Sequence, residues 1–90
     1  MRKIVEAGQT ETVLLFNKNN AGVMVHPGIG ATALVEFTFS SADDIAADTA
    51  MWDDWAAGSV TTKRSDVFDA QVSAVRLSSI GNTSTFEIRG

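Results

Sequence analysis

The sequence predicts an all-β fold, an antiparallel β-sandwich or small jelly-roll-like barrel with one long loop or short helical turn at about residues 41–58. Three observations predict it. First, Ala33-Leu34-Val35-Glu36-Phe37-Thr38-Phe39-Ser40 alternates with a period of two, placing Ala33, Val35, Phe37 and Phe39 on one face. Second, short runs of strand-forming residues recur between Gly, Pro and Asn turn signals. Third, Gly81-Asn82 stands between two such runs, as a two-residue hairpin turn would.

The bulk numbers agree. Ninety residues fit one β domain spanning 1–90, small enough that association with neighbours would add to its stability. The apolar fraction of 44 % is that of a globular chain. With no cysteine, neither a disulfide framework nor a Cys-based zinc site is expected. The N-terminus, Met1-Arg2-Lys3-Ile4-Val5-Glu6, has no apolar core of signal-peptide length. The longest unbroken apolar run, Val13 to Phe16, is far short of a membrane span, so no membrane partner is expected. A net charge of −4 argues against a nucleic-acid partner, which calls for a basic patch. The charge is uneven: Ser40 to Gly58 holds five Asp and no basic residue.

Taken in order, Arg2 to Glu6 reads as a first strand ended by Ala7-Gly8-Gln9. Glu11 to Phe16 is a second, running into the turn-forming tract Asn17-Lys18-Asn19-Asn20. Val23 to His26 is a third, stopped by Pro27-Gly28, where glycine would take the positive φ of a type II turn. The run from Ala33 to Ser40 follows as the central strand. At about 3.3 Å per residue it would span roughly 26 Å. Consecutive antiparallel strands here predict a meander.

Ser41 to Ala57 breaks the two-residue rhythm. Ile45, Asp48 or Thr49, Trp52 and Trp55 or Ala56 recur at three- and four-residue intervals. Ser41 and Asp44 have capping-box spacing, and Gly58 stands where a helix would stop. Asp48-Thr49 interrupts with weak helix formers. The segment is therefore expected to be a long crossover loop with one or two helical turns, one of them holding both Trp residues. Val60 to Thr62 begins a return to strand, Lys63-Arg64-Ser65-Asp66 reads as a polar bend, and Val67-Phe68 reaches the core or its edge.

Val72 to Ile80 and Thr83 to Arg89 flank Gly81-Asn82. If that turn closes a hairpin, Ile80 faces Thr83, Leu77 faces Phe86, Arg76 faces Glu87 and Val75 faces Ile88. Apolar then meets apolar on one side, and cation meets anion on the other. No period indicates an internal repeat.

Candidate chemistry is sparse. His26, the one histidine, has no nucleophile or carboxylate arranged beside it locally and reads as a strand-end residue. Asp43, Asp44, Asp48, Asp53 and Asp54 lack the EF-hand spacing, so no metal site is assigned. Asp43 and Asp44 favour a helix start and the others solubilise a loop. Gly28-Ile29-Gly30 is followed by no lysine and is not a phosphate loop. No catalytic residue and no cofactor is expected, and enzymatic activity has no support. Trp52 and Trp55 remain as candidate core-closing or interface residues. On one helical turn both rings would point the same way. Buried, they close one end of the core; exposed, they could stack on a sugar or enter a partner's pocket.

The central run Ala33 to Ser40 is followed by Ala50-Met51-Trp52-Asp53-Asp54-Trp55 and Gly58. Then come Val72-Ser73-Ala74-Val75-Arg76-Leu77 and the closing Gly81-Asn82-Thr83-Ser84-Thr85-Phe86-Glu87-Ile88-Arg89-Gly90. This ensemble resembles the small β-rich structural proteins of tailed bacteriophages, over most of residues 21 to 90. The resemblance implies a non-enzymatic virion protein made in the host cytoplasm. It implies a capsid decoration or cement protein on the capsid surface, bound to the major capsid protein or other virion proteins. Some such proteins are homo-oligomers, as trimers; others belong to the tail or the head–tail joint. The likeness is one of architecture and carries over no functional residue. A reading from another class is a small carbohydrate-binding module that stacks sugars on Trp52 and Trp55.

Overall fold

A computed structural model of the chain describes residues 1–16, 20–68 and 70–89. Eight strands and one short helix follow in order: β1 (Arg2–Val5), β2 (Thr10–Leu14), β3 (Gly22–Pro27), β4 (Thr32–Thr38), α1 (Ala42–Ala46), β5 (Asp53–Asp54), β6 (Arg64–Val67), β7 (Ala74–Ile80) and β8 (Ser84–Arg89). They form two four-stranded antiparallel sheets packed together, the all-β sandwich expected from the sequence. The first sheet has the order β1-β8-β3-β6, the second β2-β7-β4-β5.

The pairings are nested. β4 pairs with β5, β3 with β6, β2 with β7 and β1 with β8, as in one long hairpin folded at α1. That hairpin then rolls up, so that β8 also pairs with β3, and β7 with β4. Rolling a hairpin of four strand pairs into two facing sheets gives a jelly roll. The core fills the space between the sheets: Val5, Val23, Val25, Phe86 and Ile88 from one meet Val13, Val35, Val75, Leu77 and Trp55 from the other. Alternation along each strand puts these residues inward and their neighbours outward.

Rolling corrects two expectations. The strands from Glu11 to Ser40 form no meander, because β2, β3 and β4 alternate between sheets. Nor does Gly81-Asn82 close a hairpin. It carries the chain from β7 in one sheet to β8 in the other. Leu77 pairs with Val35 and Glu11, and Phe86 with Val25 and Lys3. Both are fully buried, in facing sheets. Arg76 is beside Glu36, while Glu87 binds Arg2. An arch and a hairpin bury the same alternate residues, so the pattern fixes which residues point inward and leaves the pairing partner open.

Several smaller expectations shift as well. Lys63-Arg64-Ser65-Asp66 is no bend: Arg64–Val67 is β6, held against β3 by the register Val25↔Arg64 to Gly22↔Val67. Gly28 has no positive φ; Gly30 has φ 76° and closes the turn in which the Ala31 N–H donates to the Gly28 carbonyl at 2.9 Å. Gly28 is needed instead for closeness, since a Cβ there would strike the Thr83 carbonyl oxygen. Residues 17–19 of the Asn-rich tract lie outside the described residues.

The central strand is an inner strand of its sheet, but it ends at Thr38, and Phe39 is 62 % exposed beyond it. The crossover begins as expected: the Asp44 N–H donates to the Ser41 hydroxyl at 3.2 Å, and α1 runs one turn from there. Asp48, at φ 61°, follows within two residues of the helix. Neither Trp lies on a helix. Both flank β5, an extended segment, and a spacing of three on extended backbone points them to opposite sides.

Candidate binding surfaces

Trp55 points inward. Its N–H donates to the Val35 carbonyl and its indole Nε1 donates to the Gly58 carbonyl at 2.7 Å, leaving the residue 2 % exposed. Gly58 adopts φ 63° to present that carbonyl, closing a turn rather than a helix. A side chain so enclosed stacks on no sugar, so the two-tryptophan platform is not formed.

Trp52 points outward. The pairs Glu36↔Asp54 and Phe37↔Asp53, extended by one residue, place it beside Thr38 on the outer side of β4. Its ring lies on the Arg76 guanidinium, 4.4 Å from ring centroid to Cζ. Arg76 in turn donates from Nε and Nη2 to the two oxygens of Glu36 at 3.0 and 2.9 Å. This bidentate pair is partly shielded and sits on two inner strands, β7 and β4. Covered from the crossover side, the outward Thr38 and Ala74 are as buried as core residues. Thr12, Ile45 and Asp48 join Trp52, Glu36 and Arg76 around a shallow polar hollow of about 480 Å³.

A second depression adjoins the first at Trp52. It is an open cleft of about 560 Å³ at the end of the sandwich where the crossover leaves β4. Phe37, Phe39, Met51, Trp52 and Asp53 line it. Phe37 anchors the aromatic group, its ring centroid 5.5 Å from Phe39 and 5.3 Å from Phe68. Phe39 and Met51, at 62 % and 84 % exposure, leave most of their apolar surface to solvent. The Met51 N–H donates to the Ser40 hydroxyl at 3.0 Å and ties the two sides of the crossover together. Sequence reading missed this cleft. The Phe37-Thr38-Phe39 alternation continues past Thr38, where β4 ends, so the sequence does not mark the point at which Phe39 leaves the sheet.

The remaining candidates do not gather. His26 is exposed on the opposite sheet, near Met24, Lys63 and Arg64. Asp43 and Asp44 occupy the first turn of α1, and Asp44 also accepts from the Thr49 hydroxyl at 3.0 Å. Asp53 accepts from the Asp54 N–H. Among the described residues no three His, Cys, Asp or Glu converge as a metal site would require. No described helix is long and apolar enough to cross a membrane. A scan against protein-family models finds no match for this chain, and searches of curated proteins and of solved structures likewise find none.

Proposed function

We propose that this chain is a non-enzymatic structural protein of a virion, a capsid decoration or cement protein whose direct partner is the major capsid protein. The observation that carries the reading is the apolar cleft at the crossover end. Phe39 and Met51 are large and exposed, as Ile4, Ile29 and Ile80 are elsewhere, and here they line one cleft together with Phe37 and Trp52. Clustered exposed apolar surface marks protein–protein contact, and aromatic and methionine side chains are enriched at such contacts. The likeness of residues 21 to 90 to small phage structural proteins supplies the kind of partner. Jelly rolls serve viral capsids and lectins alike, so the fold is compatible with the role without selecting it.

The mechanism needs no chemistry. A sandwich that presents the cleft to assembled capsid subunits, and not to separated ones, stabilises the assembly by mass action. The test compares particles with and without the protein, heated while genome release is followed. Release at a lower temperature without it, with copies in the hundreds per particle, is the expected result. An unchanged release temperature and only a handful of copies would move the protein to the tail or head–tail joint.

A reading of another class rests on the polar hollow beside Trp52, where an aromatic edge adjoins Glu36, Arg76, Thr12 and Asp48. A carbohydrate could lie there on one tryptophan. Glycan titration followed by Trp fluorescence, with Trp52→Ala as control, decides it: a saturable response lost in the variant favours the sugar.

A further inference from the structure

The two layers carry charges of both signs, but their unpaired outward charges differ in balance. The ion pairs among described residues join Arg2 and the N-terminal amine to Glu87, Lys3 to Glu11 and Arg76 to Glu36. None of those pairs involves Lys63 or Arg89, on the outer side of the β1-β8-β3-β6 sheet; Arg64 and Asp66, also in none of them, offset each other on the inner side of the β6 edge, opposite Val25 and Val23. Nor does any involve Asp43, Asp48 or Asp54, exposed on the crossover and the β5 edge of the other sheet. Each layer also offers apolar surface: Ile4, Met24 and Val67 on the cationic side, and the half-exposed Ile45 and Trp52 on the acidic side.

We propose that the cationic sheet face of one copy docks on the acidic crossover face of a second copy of this chain. The charges are complementary, and each side carries apolar side chains to bury between them. The broad face of a body measuring 35 × 25 × 21 Å matches the roughly 800 Å² per partner of an ordinary stable interface. Because the two patches occupy opposite layers, one contact uses a different patch from each copy. Such a heterologous contact leaves a free patch at either end, so it closes only as a ring of more than two copies or continues as a chain. Trp52 borders both this face and the cleft, but the contact is argued from charge and is tested on the chain alone, so it does not rest on the capsid reading.

The experiment is sedimentation velocity on the full chain at low and high salt, at concentrations on the order of 100 µM, where weak contacts populate. Association at low salt into species larger than dimers, weakened roughly tenfold or more by half-molar salt, is expected because exposed charges are screened. Two multiple variants sharpen it. Lys63→Glu with Arg89→Glu makes both faces acidic, and Asp43→Lys with Asp53→Lys and Asp54→Lys leaves the crossover with more Lys than Asp, so that both faces are basic. Each alone should sediment as a monomer. An equimolar mixture should associate again, since every acidic face then meets a basic one. A monomeric native protein at low salt, a closed dimer, or variants that associate like the native chain overturns the proposal, as does a mixture that stays monomeric. Should a variant fail to fold, carbodiimide coupling of the native chain decides the same question. Intermolecular Lys63-to-Asp43 or Lys63-to-Asp54 bonds support the contact, and their absence from an associated sample refutes it.

Discussion

The two ends of this sandwich are built on opposite terms. At one end the chain turns from sheet to sheet in arches, and the arches are fitted to one another. The Gly28 N–H donates to the Thr83 carbonyl at 2.9 Å, and Asn82 Nδ2 donates to the Ile29 carbonyl at 2.8 Å. Gly81, at φ 88°, lies so close to the Gly30 carbonyl that a Cβ would be 2.6 Å from its oxygen. Beneath them, Ser79 and Ser84 share a hydrogen bond of 2.7 Å across the buried end of the core. At the other end the crossover leaves Phe39 and Met51 in solvent. Ile29 and Ile80 are exposed at the arch end too, but there backbone fit closes the sandwich, whereas at the crossover end Phe39 and Met51 line an open cleft. Stability should therefore depend on the arch end, and recognition on the crossover end.

Replacements at the two tryptophans give the widest expected separation. Trp55→Ala removes a fully enclosed ring and its bond to Gly58, and should cost about 3–5 kcal/mol. Trp52→Ala loses a half-exposed ring and its contact with Arg76, and should cost about 1 kcal/mol. Urea midpoints at constant m-value measure both. Equal costs would abolish the inside–outside distinction drawn for this pair.

The arch glycines come next. Gly81→Ala combines positive φ with a collision against backbone and should destabilise by about 2–3 kcal/mol. Gly58 also has positive φ, but open space surrounds it. Gly58→Ala should therefore cost only about 1 kcal/mol by the same measurement. If Gly81→Ala were the milder change, the two arches would not be in contact.

Arg76→Met leaves Glu36 partly shielded without its bidentate partner and should cost about 1–2 kcal/mol. Adding salt should lower the native midpoint little, because this pair is shielded, in contrast to the exposed Arg2–Glu87 pair. The smallest effect belongs to the crossover end. Phe39→Ala and Met51→Ala should stay within about 0.5 kcal/mol of the native protein in thermal unfolding. The same substitutions should weaken capsid binding in a pull-down, and unchanged binding would remove the cleft from the proposed function.

How much of this is legible depends on which physical question the sequence answers. Alternation locates six of the eight described strands and their inward residues, missing β5 and β6; Leu77, Phe86, Val35 and Val25 each follow the period of two into the core. It cannot say that Leu77 and Phe86 face each other from separate sheets, because burial is the same either way. Lys63-Arg64-Ser65-Asp66 looks like a bend for a related reason: an edge strand can be polar throughout and still pair through its backbone. The tryptophan pair fails on backbone geometry. A spacing of three means one side on a helix and two sides on a strand, and the competing Asp48-Thr49 break is the better guide. Of the candidate surfaces, Trp52 is visible in the sequence; the cleft beside it depends on where β4 stops, and no alternation pattern marks that.

The nested strand pairing also dictates the timing of folding. Closing a loop costs conformational entropy that grows with loop length, so the first pairing to form is the one with the shortest loop. That pairing is Glu36↔Asp54 across α1; Gly22↔Val67 and then Leu14↔Ala74 become short closures only after it, and Arg2↔Glu87 comes last. The chain should zip from its apex outward, with refolding on the millisecond-to-second scale typical of long-range β pairing. Stopped-flow φ-values near one around β4 and β5 and near zero in β1 are the expected signature. A φ-value for Val5→Ala as high as that of Val35→Ala would reverse the order. Until the last closure, β8 has an unpaired edge, so the nascent jelly roll is most exposed to wrong partners late in its assembly.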